Sequence, residues 1–201
     1  INLNDNAPPF EEYAAPLIKR LKNVNFEKIY PAGTIEFDKI STNWKFLIEN
    51  YIEPYHVPFV HSKTTKQPLQ DHYTIVDGRC LGSGVNLNEE NTAEDKLSVS
   101  SKYLSLFPNF IIGTYCLDQR YLGVHLNQAL GPNRSYQKRV IYASEGHELT
   151  KDEVEFHKKL WTQVHKEDHE ICEWLQQGRA SPVAKKGGVL SPHWENHVRE
   201  F

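Results

Sequence analysis

The chain has 201 residues, 39% hydrophobic and 24% charged, enough for one large domain with a substantial core or at most two small ones. Its formal net charge of −3 excludes the broad basic field that draws nucleic acid or anionic membrane. No apolar run approaches the roughly 20 residues of a membrane-spanning helix, and Ile1-Asn2-Leu3-Asn4-Asp5-Asn6 has neither the basic nor the apolar region of a signal peptide. The cysteines Cys80, Cys116 and Cys172 are odd in number and scattered, which favours a reduced, cytoplasmic setting over a disulfide scaffold. There is no Met, where roughly four would be expected from ordinary composition, and the chain opens on Ile, so it is expected to be a piece of a longer one.

In chain order, Pro8-Pro9 breaks early structure, and a short amphipathic helix is expected over Phe10–Leu21. Ile29–Ile40 reads as extended, with a turn signal at Pro31-Ala32-Gly33. Ser41 or Thr42 can cap a helix over Asn43–Glu53. Trp44, Leu47, Ile48, Tyr51, Ile52 and Tyr55 recur at three- and four-residue steps and form its apolar stripe. From residue 72 to 145 the pattern changes to strands. Ser98–Leu106 and Phe110–Leu117 flank the turn signal Phe107-Pro108-Asn109, and Tyr121–Ala129 and Tyr136–Ala143 flank Gly131-Pro132-Asn133-Arg134. This predicts an antiparallel meander rather than repeated βαβ units. The polar stretch Asn88–Asp95 reads as a mobile loop. A long helix over Lys151–Gln177 opens on a capping box of Thr150 and Glu153, with Gly178 as its stop. The tail Ser181–Phe201 reads as mostly irregular, with a short helix near Trp194.

Glu53-x-x-His56-x-x-x-x-His61 places two imidazoles and a carboxylate in a largely apolar, aromatic stretch. Buried ionisable groups need compensation, and a metal supplies it. On a straight helix His56 and His61 would lie about 140° apart. Pro54 and Pro58 disfavour continued helix, so the segment is expected to end or kink there and swing His61 back beside His56. Two ordinary histidines in a Pro-rich loop is the plainer reading. On the long helix, Trp161, Val164, Asp168, Ile171, Cys172 and Leu175 share one stripe, flanked by Leu160, so Asp168 is on the buried face. A buried carboxylate needs a divalent cation, a buried Arg or Lys, or a neighbour such as His165 or His169. Two histidines and one carboxylate with open positions suit non-haem Fe(II) and oxygen chemistry.

These motifs carry a resemblance. Asn43-Trp44-Lys45, Glu49-Asn50 and the Glu53–His61 run resemble the iron-binding signature of Rieske-type non-haem iron oxygenases, in the α-subunit catalytic domain. Glu167-Asp168-x-x-Ile171-Cys172-Glu173-x-x-Gln176-x-Gly178 is similar to the family's second signature, and Leu190-Ser191-x-x-x-Glu195-x-x-Val198-x-x-Phe201 to its C-terminal ending. The similarity runs from Asn2–Pro9 to Phe201.

The resemblance implies an α+β, helix-grip fold, a twisted antiparallel sheet with a long C-terminal helix packed across it. It implies mononuclear Fe(II) on His56, His61 and Asp168, with Glu53 as the acidic bridge that receives electrons from a neighbouring subunit. Glu49, Asn50 and Tyr55 are the candidates to orient the imidazoles, or are plain surface and packing residues. Most members carry Asp where this chain has Glu53; Glu occurs in members acting on quaternary ammonium compounds, which points to monooxygenation or demethylation of a quaternary ammonium or related small substrate. Tyr103, Phe107, Tyr115 and Tyr121 could cage such a cation or be ordinary sheet aromatics. The family's Cys-x-His…Cys-x-x-His motif is absent, so residues 1–201 are expected to be the catalytic domain alone, with the [2Fe–2S] Rieske cluster on an N-terminal domain outside this chain. O₂, a reductase or ferredoxin donor and a homotrimer are the implied partners. An aromatic-ring hydroxylating dioxygenase is the alternative within the family. A helix-grip protein that binds a small ligand without catalysis is the alternative outside it. The intervening Glu and four-residue step of a zinc hydrolase's HExxH are missing.

Overall fold

The computed structural model describes residues 6–65, 67–86, 101–115 and 120–201; Asn88–Asp95 and Cys116 lie outside them. The elements are α1 (Phe10–Arg20), β1 (Ile29–Ile40), α2 (Trp44–Ile52), α3 (Val57–Val60), β2 (His72–Asp77), β3 (Cys80–Val85), β4 (Ser101–Leu106), β5 (Phe110–Thr114), β6 (Tyr121–Gly131), β7 (Arg134–Ser144), α4 (Lys151–Arg179) and α5 (Asn196–Glu200). The strands form one antiparallel sheet in the order β1-β7-β6-β5-β4-β3-β2. β2 to β7 are a continuous meander, as the turn signals predict, and β1 closes its far side against β7, with Thr34 opposite Val140.

Successive side chains on a strand point to opposite faces, and the core divides accordingly. Leu104, Leu106, Ile112 and Leu122 face α1, whose Ala14 and Leu17 cover them together with Leu21 at its C-terminal cap. On the other face Leu81 and Ile111 meet Ile48 and Ile52 of α2, while Ile35, Tyr115, Tyr121 and Ile141 meet Trp161 and Val164 of α4. The sheet is therefore wrapped by helices on both sides, an α+β fold with the long C-terminal helix lying across it. The functional side chains sit on the α2–α4 side.

Local chemistry fixes the helix ends. Asn43, rather than Ser41 or Thr42, caps α2, with its Oδ1 accepting from the Lys45 N–H at 3.0 Å. Thr42 is committed elsewhere, its hydroxyl donating to the Cys172 carbonyl at 3.0 Å. Thr150 and Glu153 form the expected capping box of α4. α4 does not stop at Gly178 but runs one residue further, to Arg179. Leu175 continues the apolar stripe yet is 45% exposed. The tail helix is α5, whose His197 bonds the Ile52 carbonyl at 2.9 Å and pins the end of α2.

Candidate metal centre

Pro54 ends α2 by holding Glu53 in an extended conformation (ψ 139°). The chain then turns at Tyr55-His56 and makes the single helical turn α3. Pro58 does not break this turn; it lies within the first turn, where its missing N–H is harmless. His56 precedes the turn and His61 ends it, with the His61 N–H bonded to the Val57 carbonyl at 3.0 Å. One tight turn between the two histidines brings their rings to 5.1 Å, nearly perpendicular.

Asp168 reaches them from α4. Its Oδ1 lies 2.9 Å from His61 Nε2 and 3.5 Å from His56 Nε2. A ligand atom from each of the three residues lies within 4.8 Å of the others. Each side chain is held from behind. His56 Nδ1 meets Glu53 Oε1 at 2.5 Å, and His61 Nδ1 meets Glu167 Oε2 at 2.8 Å. With the ring protons on Nδ1, both Nε2 lone pairs turn toward Asp168, which is the tautomer that a metal requires. Asn50 donates to Asp168 Oδ1 at 2.9 Å. Two imidazoles and one carboxylate, buried and oriented by further carboxylates and an amide, fit a divalent iron ion.

Electrostatics agree. Burial opposes charge on His56, but Glu53 and Asp168 outweigh it and raise its pKa to about 10. His61 moves the same way, burial being overcome by Asp168 and Glu167. Burial pushes the Asp168 carboxyl up, but hydrogen bonds from both imidazoles hold it well below the usual range. Without metal, protonated imidazoles occupy the cation's place. Their contribution to stability is full below pH 6.5 and, for His56, is lost as pH rises through about 10. Metal entry must expel these protons. Anaerobic Fe(II) titrations should therefore show affinity rising about tenfold per pH unit per proton released over pH 6.5 to about 10 for His56. A pH-independent affinity would contradict this competition.

Of the residues expected to orient the imidazoles, Asn50 bonds a candidate ligand directly. Tyr55 reaches the site only through its backbone N–H, which donates to Glu53 Oε2; its side chain is 46% exposed beside Phe59. Glu49 is not brought to the site. It turns away from the centre into a surface cleft with Lys45 and Arg179, where burial raises its pKa against the pull of those two cations. Glu167 is the residue that sequence reasoning missed. It is held in turn by Thr64 at 2.9 Å and Gln163 at 3.0 Å. Its adjacency to Asp168 was the available signal, but adjacent helix residues point about 100° apart, which reads as surface for one of them. Glu167→Ala should weaken iron binding by about 10–100-fold; equilibrium dialysis that finds wild-type affinity would remove Glu167 from the centre.

The centre forms one wall of a cavity of about 50 Å³ between α2, α4 and the sheet. Tyr103, His125, Arg139 and Trp161 line its other side. Tyr115 and Tyr121 stack on one another in the adjacent core, at 4.9 Å, and Phe107 pairs with Phe201 on the surface. Of the four aromatics expected as cage members, Tyr103 lines the cavity.

A family model described as the catalytic domain of the ring-hydroxylating alpha subunit matches residues 26–201. The chloroplastic choline monooxygenase of Spinacia oleracea is 26% identical over 157 residues, covering 76% of this chain and 35% of that protein. That of Atriplex hortensis is 26% identical over 155 residues, covering 76% and 34%. The chain thus spans about a third of the length of these relatives. Among solved structures, the quaternary ammonium Rieske monooxygenase CntA in complex with L-carnitine superposes with a TM-score of 0.73 at 17% identity, over 92% of this chain and 49% of that one. Naphthalene 1,2-dioxygenase from Rhodococcus sp. gives 0.68 at 15% identity, over 92% and 53%. These structures share the fold. No helix among the described residues is long and apolar enough to cross a membrane. With residues 26–201 matched, the chain belongs to the family of ring-hydroxylating α-subunit catalytic domains.

Proposed function

We propose that this chain is the catalytic domain of an oxygenase that holds mononuclear Fe(II) on His56, His61 and Asp168 and monooxygenates or demethylates a small quaternary ammonium or related substrate. The observation that carries the reading is the convergence of the three ligand atoms within 4.8 Å on the wall of a buried cavity. The similarity to choline monooxygenases and Glu53 in place of the family's usual Asp support the substrate class. When bound, the iron supplies dioxygen binding and redox chemistry.

The chain's own residues do the rest. Glu53 and Glu167 hold the two imidazoles in one tautomer and orientation, and Asn50 fixes the carboxylate. The surrounding apolar and aromatic walls, Val57, Val164 and Trp161 among them, exclude bulk water from the reacting groups. Glu53 is the proposed bridge for electrons. Its side chain bonds His56 yet keeps 13% exposure, which leaves an edge for a partner's donor group. Those electrons would come from a [2Fe–2S] cluster on a domain outside this chain, itself reduced by a reductase or ferredoxin. A homotrimer would bring such a cluster to Glu53 from a neighbouring subunit; inter-subunit electron transfer is described for a quaternary ammonium Rieske monooxygenase of known structure. The two described cysteines, Cys80 and Cys172, are free and buried, which supports a reducing, cytoplasmic setting.

The likeness to naphthalene 1,2-dioxygenase supports a second reading, cis-dihydroxylation of an aromatic ring. Turnover of the full-length protein with its reductase under ¹⁸O₂ separates the two. The proposal expects one labelled oxygen in the product, or an aldehyde and amine released from it. A doubly labelled cis-diol would replace it with the second reading.

A further inference from the structure

We infer that Arg139, on the cavity wall beside the metal centre, is the anchor for a carboxylate carried by the substrate; the inference rests on reading this cavity as the substrate site.

Arg139 is fully buried, on the inward face of β7. A guanidinium stays charged wherever it is placed, and a charge in the interior demands a counter-ion. Its partners here are neutral. Nη1 lies 2.8 Å from His125 Nε2 and 3.5 Å from His165 Nε2, and Nη2 donates to the Tyr115 hydroxyl. Burial and the nearby guanidinium push both histidines well below their ordinary pKa, so they accept as uncharged rings. No carboxylate among the described residues pairs with Arg139, and its Nε–H has no partner there.

The lack of partners extends beyond one atom. His125 takes its bond from Arg139 through Nε2, which leaves the proton on Nδ1, and that Nδ1 is also unpartnered. So is the Tyr51 hydroxyl, whose ring packs on His125 at 4.8 Å. All three residues line the same cavity. Unmet buried donors are costly, and a purely structural arginine has no use for such a set. A planar carboxylate matches a guanidinium edge. The sheet is also cut away to make room. A Cβ at Gly123 would come within 2.6 Å of Arg139 Nη2, and one at the paired Gly113 within 2.7 Å of the Tyr51 hydroxyl.

The same residue limits where an onium group can sit. Arg139 Cζ lies 3.7 Å from the centre of the Trp161 ring and 5.7 Å from that of Tyr115. Of the aromatic rings that line the cavity, Trp161 already faces the protein's own cation. The cavity, at about 50 Å³, is a few times the roughly 10–15 Å³ that one water requires. The site accordingly selects a small molecule bearing a carboxylate over an uncharged or purely cationic one of the same size.

The test is calorimetric binding to the full-length, iron-loaded protein under anaerobic conditions, with probes matched except for one group: glycine betaine against choline, and N,N-dimethylglycine against 2-dimethylaminoethanol. The carboxylate of each pair should bind at least about tenfold more tightly than the alcohol. Arg139→Lys, which keeps the charge but removes the fork, should bring the ratio below about threefold with iron content unchanged. Equal binding within a pair, or no binding by either carboxylate, overturns the inference. The wild-type comparison needs no variant, so it stays decisive even where Arg139→Lys fails to fold. Carboxylate binding without oxygen insertion would refute the oxygenase reading and leave the anchor standing; oxygen insertion with no carboxylate preference would do the reverse.

Discussion

Asp168→Ala should lose iron by more than about 100-fold in affinity, beyond the range seen when only an outer partner of a ligand is removed. The carboxylate is the one acidic group of the three-residue set. Without it, His56 Nε2, His61 Nε2 and the Asn50 amide lose a shared acceptor. Each unmet buried group costs roughly 1–3 kcal/mol, so the variant should also melt earlier than the wild type when both are metal-free. The variant would still fold, because the stripe that docks α4 (Trp161, Val164 and Cys172) is untouched. Iron analysis and circular dichroism on the same sample read both effects. Stoichiometric iron in a folded Asp168→Ala protein would contradict the ligand assignment.

Glu53→Gln should separate iron binding from electron delivery. The glutamine carbonyl can still accept from His56 Nδ1, so the imidazole keeps its orientation and iron should stay within about tenfold of wild-type affinity. What disappears is the negative charge and the second carboxylate oxygen, which now takes the Tyr55 and His56 N–H groups. Turnover with the native electron donors should fall by about 10–100-fold or more. Stopped-flow reoxidation of the reduced cluster, compared with iron content, is the direct readout. Unchanged turnover would remove Glu53 from the electron route and leave it an orienting partner of His56 alone.

Much of this site is legible in the residues because its parts obey local rules. Trp161, Val164 and Asp168 share a helical stripe, so the carboxylate is seen to face inward before any partner is known. Pro54 and Pro58 announce that the chain cannot continue as a straight helix between the histidines. The form of the bend was not legible, because Pro58 is accepted in the first turn of α3 rather than breaking it. The hairpins follow from their turn residues, but the pairing of β1 with β7 joins segments about a hundred residues apart and leaves no local trace. Glu49 and Asn50 look alike as polar neighbours on α2. The interhelical contact with Asp168, invisible in one chain segment, decides that Asn50 is inside and Glu49 out. Arg139 was hidden for a different reason. A cation carries no apolar mark of the core face, yet strand alternation sends Arg139 inward while Lys138 points away from it.

Whether one iron is held jointly by the turn after α2 and by α4 is decided by anaerobic Fe(II) reconstitution followed by iron-edge X-ray absorption. One equivalent per chain is expected, with scattering from two imidazoles and a carboxylate oxygen. Iron bound substoichiometrically, or with fewer than two imidazoles in its coordination sphere, would contradict it.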